Sequence, residues 1–480
     1  MTGQTSAAEP TRIPMRIGAT WREGESFAEV RDPYRGDVVA HMPVSTARDL
    51  DDALAAAQRG AAVMAKMPGY ERAALLRRIA DECDARAEAM GQAMARETGK
   101  ALRDCMVETS RAGATMRLCA EEAVRIEGSH IPMDSSAMGA GKIAMMLRFP
   151  VGVVAAITPF NAPVNLAAHK LGPAIAAGNS VVLKPSPKAP LSVHLLVEAF
   201  IAAGVPDGAI NAVYGDVVGP ALVSDPRVDF VSFTGSIPVG RIIKQSMGIR
   251  RVALELGGVA PTFVHDDADI ASAAVACTRN GLLLAGQSCV SVQNVFVARS
   301  RYDEFVELVR AEAATLTFGD PLDPTTDVGT LIDEQAACRV EAMVQRAESL
   351  GAQRVVGGDR AGALLPGTVL TGVDDRMDVL TDEVFGPVLS VTPYDDIEPI
   401  FERISQSPFG LQCGIYTNSL DLAIRAYKTI RTGGVILNGT SRWRSDQMPY
   451  GGVKDSGIGR EGPRFAVQDM TEERLLVINH

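Results

Sequence analysis

The chain lacks any apolar run long enough to cross a bilayer. Its most hydrophobic stretches, VGVVAAIT from Val151 and GLLLAG from Gly281, stop well short of the roughly 20 residues a spanning helix requires. Basic clustering is missing too. The 47 Lys and Arg are outnumbered by 58 Asp and Glu, a formal net charge of −11, which argues against a surface that gathers nucleic-acid phosphates. Seven cysteines, at 83, 105, 119, 277, 289, 338 and 413, are odd in number and form no CxxC pair, so neither a disulfide framework nor a thiolate zinc site is expected. Six scattered histidines without an HExxH spacing give no catalytic metal. The first ten residues, MTGQTSAAEP, lack the basic start and apolar stretch of a signal peptide. These absences together predict a cytoplasmic protein with no membrane, nucleic-acid or metal partner.

What is present describes a large soluble fold. Hydrophobic residues make up 46%, and 45 Gly with 27 Pro supply many turns, while 480 residues exceed one ordinary core and imply two lobes. From Leu50 to Glu127, Ala, Arg, Glu and Leu recur at helical spacing and predict successive amphipathic helices. A turn-rich segment then reads as a protruding hairpin, near Ile131–Phe149. From Val151 to Gly258 short apolar strands alternate with helices, the pattern of right-handed βαβ crossovers and a parallel sheet covered on both faces, as in dinucleotide-binding folds. A second α/β series follows, from a helix near Asp269–Leu284 to the Gly-rich end MPYGGVKDSGIGREG.

GIGREG at Gly457, Gly459 and Gly462 fits the GxGxxG pattern, but it follows the polar loop VKDS instead of a strand and leaves no room for a βαβ unit, so a structural loop is expected. VDFVSFTGSIPVG is a better phosphate cradle. There a strand ends in Thr234, Gly235 and Ser236 and a helix starts at once, offering free N–H groups and the positive end of a dipole. Lys184 ends the strand SVVLK, within reach of a ligand or simply solvated. Cys289 stands at the joint of a helix and a strand in LLLAGQSCVSV, with Gly286 three residues earlier allowing close approach of a ligand; any one cysteine is otherwise inert core. Glu255 ends the strand RVALE, at the edge where parallel sheets place ligands, or else pairs with a cation there. Asn161, between a strand and a helix, is either a helix N-cap or an amide aimed into a cleft.

In order and at similar separations, TPFNAP, HKLGPAIAAGN, VVLKPS, FTGS, LELGG, GQSC, DEVFGPVL and MPYGGVKDSGIGREG resemble the NAD(P)-dependent aldehyde dehydrogenase superfamily over essentially the whole chain. The ending RWRSDQMPYGG and MTEERLLVI resembles its lactaldehyde- and glyceraldehyde-type branch, which takes small polar aldehydes. The resemblance implies a Rossmann-like cofactor domain (1–127 and 151–257), a second α/β catalytic domain (258–464) and a small β oligomerisation segment (128–150 and 465–480), hence a homodimer or homotetramer. It implies Cys289 as nucleophile, Glu255 as general base, Asn161 as oxyanion donor and Lys170 as support for the cleft. NAD or NADP would meet Thr158, Pro159, Phe160, Lys184, Ser186, Gly215, Gly219, Thr234, Gly235, Ser236, Val239, Leu256, Glu383 and Phe385. An acid at 255 favours water over coenzyme A as the acyl acceptor. Pro187 stands where NAD-preferring relatives often carry Glu, with Lys188 next, so the choice of dinucleotide stays open. Ser288 borders the substrate channel, and Arg111 and Arg444 either meet a substrate anion or form structural ion pairs.

Overall fold

A computed structural model describes residues 9–479. The helical run begins at Ala47, where Thr46 accepts from the backbone N–H of Asp49 and the Asp49 carboxylate accepts from Thr46 N–H, a reciprocal cap that ends the preceding strand. Helices Ala47–Met64, Gly69–Ala85, Ala87–Thr98 and Leu102–Ala123 follow, their apolar stripes facing one core. Ahead of them lie five short strands between Thr11 and Pro43 that periodicity did not reveal, because none exceeds six residues and Gly and Pro interrupt them.

The first sheet has eight strands. Its five central members are parallel, in the order Arg251–Glu255, Phe230–Thr234, Val153–Ile157, Ser180–Lys184, Ile210–Ala212, and Met15–Ile17 with Thr20–Arg22 extend one edge antiparallel. From Val153–Ile157 the chain winds outward to one side, then returns to place Phe230–Thr234 on the other. The gap between these two strands is therefore the topological switch point, where open α/β sheets bind ligands beyond the carboxyl ends. Thr158–Asn161 and Thr234–Ser236 leave the sheet there, and Thr234 sits in register with Glu255.

A second, seven-stranded sheet holds Asn294–Ala298 near its centre and is parallel except at one edge. The Gly-rich end, expected inside the second lobe, does not stay there: Gly457–Ile458 cross back and pair antiparallel with Leu254–Glu255. Ser456 makes the crossing stick, accepting from Leu256 N–H at 3.0 Å and donating its hydroxyl to Gly257 carbonyl at 2.7 Å. The expected hairpin is present as Ser129–Ile131 against Ile143–Pro150, and Thr471–Ile478 adds a third antiparallel strand along its full length. Among the described residues no helix is long and apolar enough to cross a membrane.

Candidate active site

Three cavities meet the predicted residues. An apolar one of about 300 Å³ at the switch point is lined by Pro159, Phe160, Asn161, Thr234, Gly235, Ser236, Glu255, Leu256, Cys289, Glu383 and Phe385. A second of about 540 Å³ takes in Thr158, Lys184, Ser186, Gly219 and Val239. The third, about 170 Å³ and richer in charged side chains than the first, is lined by Arg111, Ser288, Cys289 and Arg444. Of the predicted set, Lys170 and Gly215 line none of these.

The Cys289 turn is held in an unfavourable backbone. Leu284, Ala285 and Gly286 all have positive φ (60°, 49° and 65°), a conformation that costs about 1–3 kcal/mol for a residue with a side chain and that neither Leu nor Ala announces. Gly286 was expected to admit a ligand; instead it admits backbone, since a Cβ there would lie 1.8 Å from the carbonyl oxygen of Gly386. Buried Gln287 secures the turn, its side-chain oxygen accepting from Ile332 N–H at 2.9 Å. Asn161 does not cap the following helix, whose N-cap is Ala162. Its amide instead donates to the Gln287 carbonyl at 2.9 Å, tying the two loops beside the sulfur. Cys289 Sγ lies 2.9 Å from the hydroxyl of Tyr450, and burial pushes the thiol up to about 12.

Glu255 is buried with both carboxylate oxygens lacking any partner, so the alternative of a structural ion pair is not met. Burial, then the nearby Glu461, raises its pKa well above the usual carboxylate range. Lys170 acts one layer behind: its ammonium donates to Thr234 Oγ1 at 2.7 Å and pairs with Glu461 at 3.0 Å. Arg444 pairs with the other oxygen of Glu461 at 3.0 Å and lies 3.9 Å over the Tyr450 ring. Burial opposes the charge on Glu461, yet Lys170 and Arg444 hold it at about 2. Arg111 is clamped by Asp446, with Nε at 3.1 Å from Oδ2 and Nη2 at 2.5 Å from Oδ1. Both arginines predicted for a substrate anion are thus already paired.

A dinucleotide fits these cavities. The helix Ile237–Met247 starts at Ser236 with no side chain capping it, leaving its first N–H groups for phosphate oxygens. Glu383 is pushed by burial up to about 7 and accepts from Gly258 N–H at 3.3 Å, while a Cβ at Gly257 would lie 2.2 Å from its Oε2, so bare backbone is needed beside that carboxylate. The rings of Phe160 and Phe385 meet edge to face at 6.0 Å and form an apolar wall. In the larger cavity Lys184 pairs with Asp216 at 2.7 Å, and Lys188, on the same wall, pairs with Asp333 at 2.9 Å instead of pointing freely into solvent.

Tyr450 and Glu461 were not singled out from the sequence, although MPYGG and GIGREG contain them, because the signal lay in the motif and not in either residue's surroundings. GIGREG is a structural loop as expected, and its Glu461 is the counter-ion that Lys170 and Arg444 share.

A parallel sheet with ligand cavities at its switch point, one of them walled in part by a thiol, is the arrangement of an α/β dinucleotide-dependent oxidoreductase. The chain belongs to the aldehyde dehydrogenase family, whose model matches residues 21–476. It is 40% identical to 3-sulfolactaldehyde dehydrogenase of Priestia aryabhattai over 99% of this chain and 100% of that protein. With lactaldehyde dehydrogenase of Methanococcus vannielii it shares 35% identity over 97% of this chain and 100% of that one. Aldehyde dehydrogenase 21 of Physcomitrella patens, solved with its reaction product succinate, superposes with a TM-score of 0.95 at 36% identity, covering 98% and 99% of the two chains. An NADP-dependent glyceraldehyde-3-phosphate dehydrogenase of Bacillus halodurans, solved with NADP, gives 0.95 at 34% identity over 98% and 99%. The chain is an NAD(P)-dependent aldehyde dehydrogenase.

Proposed function

We propose that this enzyme oxidises a short polar aldehyde to the free carboxylic acid through a thioester on Cys289. The observation that carries this is that Cys289 forms part of the wall of both the apolar cavity and the small charge-lined one, with Asn161 and Tyr450 beside it in each. An aldehyde entering from the charge-lined side meets the sulfur, and the carbon bonded to sulfur then faces the apolar side. When bound there, NAD(P) supplies the acceptor for hydride. Sγ bonds to the carbonyl carbon and the carbonyl oxygen becomes an alkoxide, which the Asn161 amide and Cys289 N–H stabilise; one such donor is worth about 2.7–4 kcal/mol. Loss of hydride from that carbon restores the carbonyl as a thioester. Glu255 then takes a proton from water, the oxygen bonds to the acyl carbon, and the C–S bond breaks with the thiolate leaving. The ribose ends fall to Lys184 and Glu383, and the pyrophosphate to Thr234, Gly235 and Ser236.

The domain division and assembly belong to the same proposal: the first sheet binds the dinucleotide, the second carries the nucleophile, and the small sheet joins copies into a homodimer or homotetramer.

Glu255→Gln tests the role of water. Its general-base contribution is worth about 100- to 10,000-fold. The variant is expected to release about one NAD(P)H per site and then stall with an acyl group on Cys289, visible by intact mass. Because the Glu255 pKa is raised, wild-type turnover should climb with pH as the carboxyl ionises, and this rise should vanish in the variant. Steady turnover at the wild-type rate would overturn the assignment.

A further inference from the structure

Resting on the reading of an aldehyde-oxidising site, we infer that the substrate carries an anionic group at the end remote from its aldehyde, and that Arg442 is the residue that binds it. The small charge-lined cavity has four cationic side chains on its wall: Lys100, Arg111, Arg442 and Arg444. Three are already compensated. Lys100 pairs with Glu108, Arg111 with Asp446 and Arg444 with Glu461. Arg442 has no carboxylate within ion-pair distance among the described residues, and its guanidinium makes a single side-chain contact, from Nη1 to Asn280 Oδ1 at 3.4 Å.

Arg442 is half-buried, and its guanidinium keeps its proton at any working pH, so an anion that joins it on the cavity wall is favoured. The neighbouring carboxyl on this wall is Asp104. It lies beyond ion-pair distance of Arg442, so the guanidinium feels its field without a bond to it; burial raises the Asp104 pKa, and Lys100 and then Arg442 lower it. Arg442 is also held ready. Gln412, itself buried, donates to the carbonyls on either side of it, Ser441 O at 2.7 Å and Trp443 O at 2.6 Å. Such preorganisation suits planar, forked recognition of a carboxylate, sulfonate or phosphate.

Size narrows the ligand. A cavity of about 170 Å³ holds about five or six water-sized groups. That is the scale of a short aldehyde of a few carbons, whose charged end lies on the same wall. Since Cys289 and Arg442 line the same cavity, an aldehyde carbon at the sulfur leaves the charged end for the guanidinium.

The test compares kcat/KM for neutral lactaldehyde with that for three- or four-carbon aldehydes ending in carboxylate, sulfonate or phosphate, in wild type and in Arg442→Gln and Arg442→Lys. Wild type is expected to prefer at least one anionic aldehyde by about 100-fold. In Arg442→Gln that preference ratio should fall by about 100-fold, chiefly through KM, as when one partner of a hydrogen-bonded charge pair is truncated. Arg442→Lys should recover part of it. The three endings decide which anion fits. Should Arg442→Gln fail to fold, propane-1-sulfonate must inhibit wild-type oxidation of the neutral aldehyde competitively, and its failure to do so overturns the proposal. A wild-type ratio near one, or a ratio unchanged in Arg442→Gln, overturns it while leaving aldehyde oxidation intact. Turnover of no aldehyde at all would instead remove the reading on which it rests.

Discussion

Replacing Tyr450 by Phe deletes one oxygen, the one 2.9 Å from Cys289 Sγ, and leaves the ring that Arg444 covers. Burial pushes the thiol up to about 12, so the site opposes ionisation of its proposed nucleophile, and the Tyr450 hydroxyl is the contact that favours the thiolate most. The phenol keeps its proton, since burial and then the adjacent Cys289 raise its pKa well above the ordinary value. A guanidinium over the ring draws electron density from it and strengthens O–H as a donor. A hydrogen bond to a charged acceptor is worth about 1.5–3 kcal/mol. At 1.36 kcal/mol for each pKa unit, its loss raises the thiol by roughly one to two units. Below the pKa the thiolate fraction rises tenfold for each unit of pH, so the variant should be alkylated at Cys289 about 10- to 100-fold more slowly at every pH from 7 to 10. The assay is iodoacetamide labelling of the enzyme without substrate, followed on the Cys289 peptide by mass spectrometry, because Cys338 is exposed and would dominate a bulk thiol count. Equal labelling rates in Tyr450→Phe and wild type would show that the hydroxyl accepts from the thiol instead of donating to the thiolate, and would remove Tyr450 from the activation of Cys289.

Two other outcomes follow from charge and surface. Glu461→Ala strips two buried cations of their shared partner and should destabilise the fold by about 3–5 kcal/mol, measured by denaturant unfolding. In wild type the Glu461 carboxylate is held at about 2, below its unfolded value, so its contribution is present at neutral pH and is lost as pH falls from about 4.5 towards 2; the variant should lack that acid-dependent component. On the small sheet, Ile143, Leu147, Phe149, Leu476 and Ile478 share one face by register and are all exposed, so that face should be covered by another copy in solution. A monomeric mass by light scattering at micromolar concentration would refute the assembly.

Much of this is legible in the sequence. The alternation of apolar strands and helices from Val151 to Gly258 is a local property, and it placed the ends of Phe230–Thr234 and Arg251–Glu255 at the ligand edge of the sheet. What escaped was pairing between distant positions. Arg111 and Arg444 look like free cations in one dimension, and only folding brings Asp446 within 2.5 Å of the first and Glu461 within 3.0 Å of the second. Arg442, two residues before Arg444, carries no local mark that distinguishes it. The strained turn before Cys289 was not visible: Gly286 reads in the sequence as room for a ligand, and Leu284 and Ala285 adopt positive φ only because the surrounding structure fixes the loop.

The same network resolves a conflict in the chemistry. The proposed hydride transfer and thioester formation call for a dry site, and dryness raises both Cys289 and Glu255, the two groups that this mechanism requires to ionise. Compensation placed directly on either would block it, since a cation bonded to Glu255 would weaken it as a base. The fold instead sets Lys170 and Arg444 against one carboxylate, Glu461, leaving an excess of one positive charge a layer behind the reacting groups. Both cations lower the pKa of Glu255 without occupying its oxygens, and Arg444 extends the same influence to the sulfur. In the proposed mechanism this field eases the ionisation of Glu255 without contact and leaves its oxygens free to meet water, while at Cys289 it adds to the Tyr450 hydrogen bond.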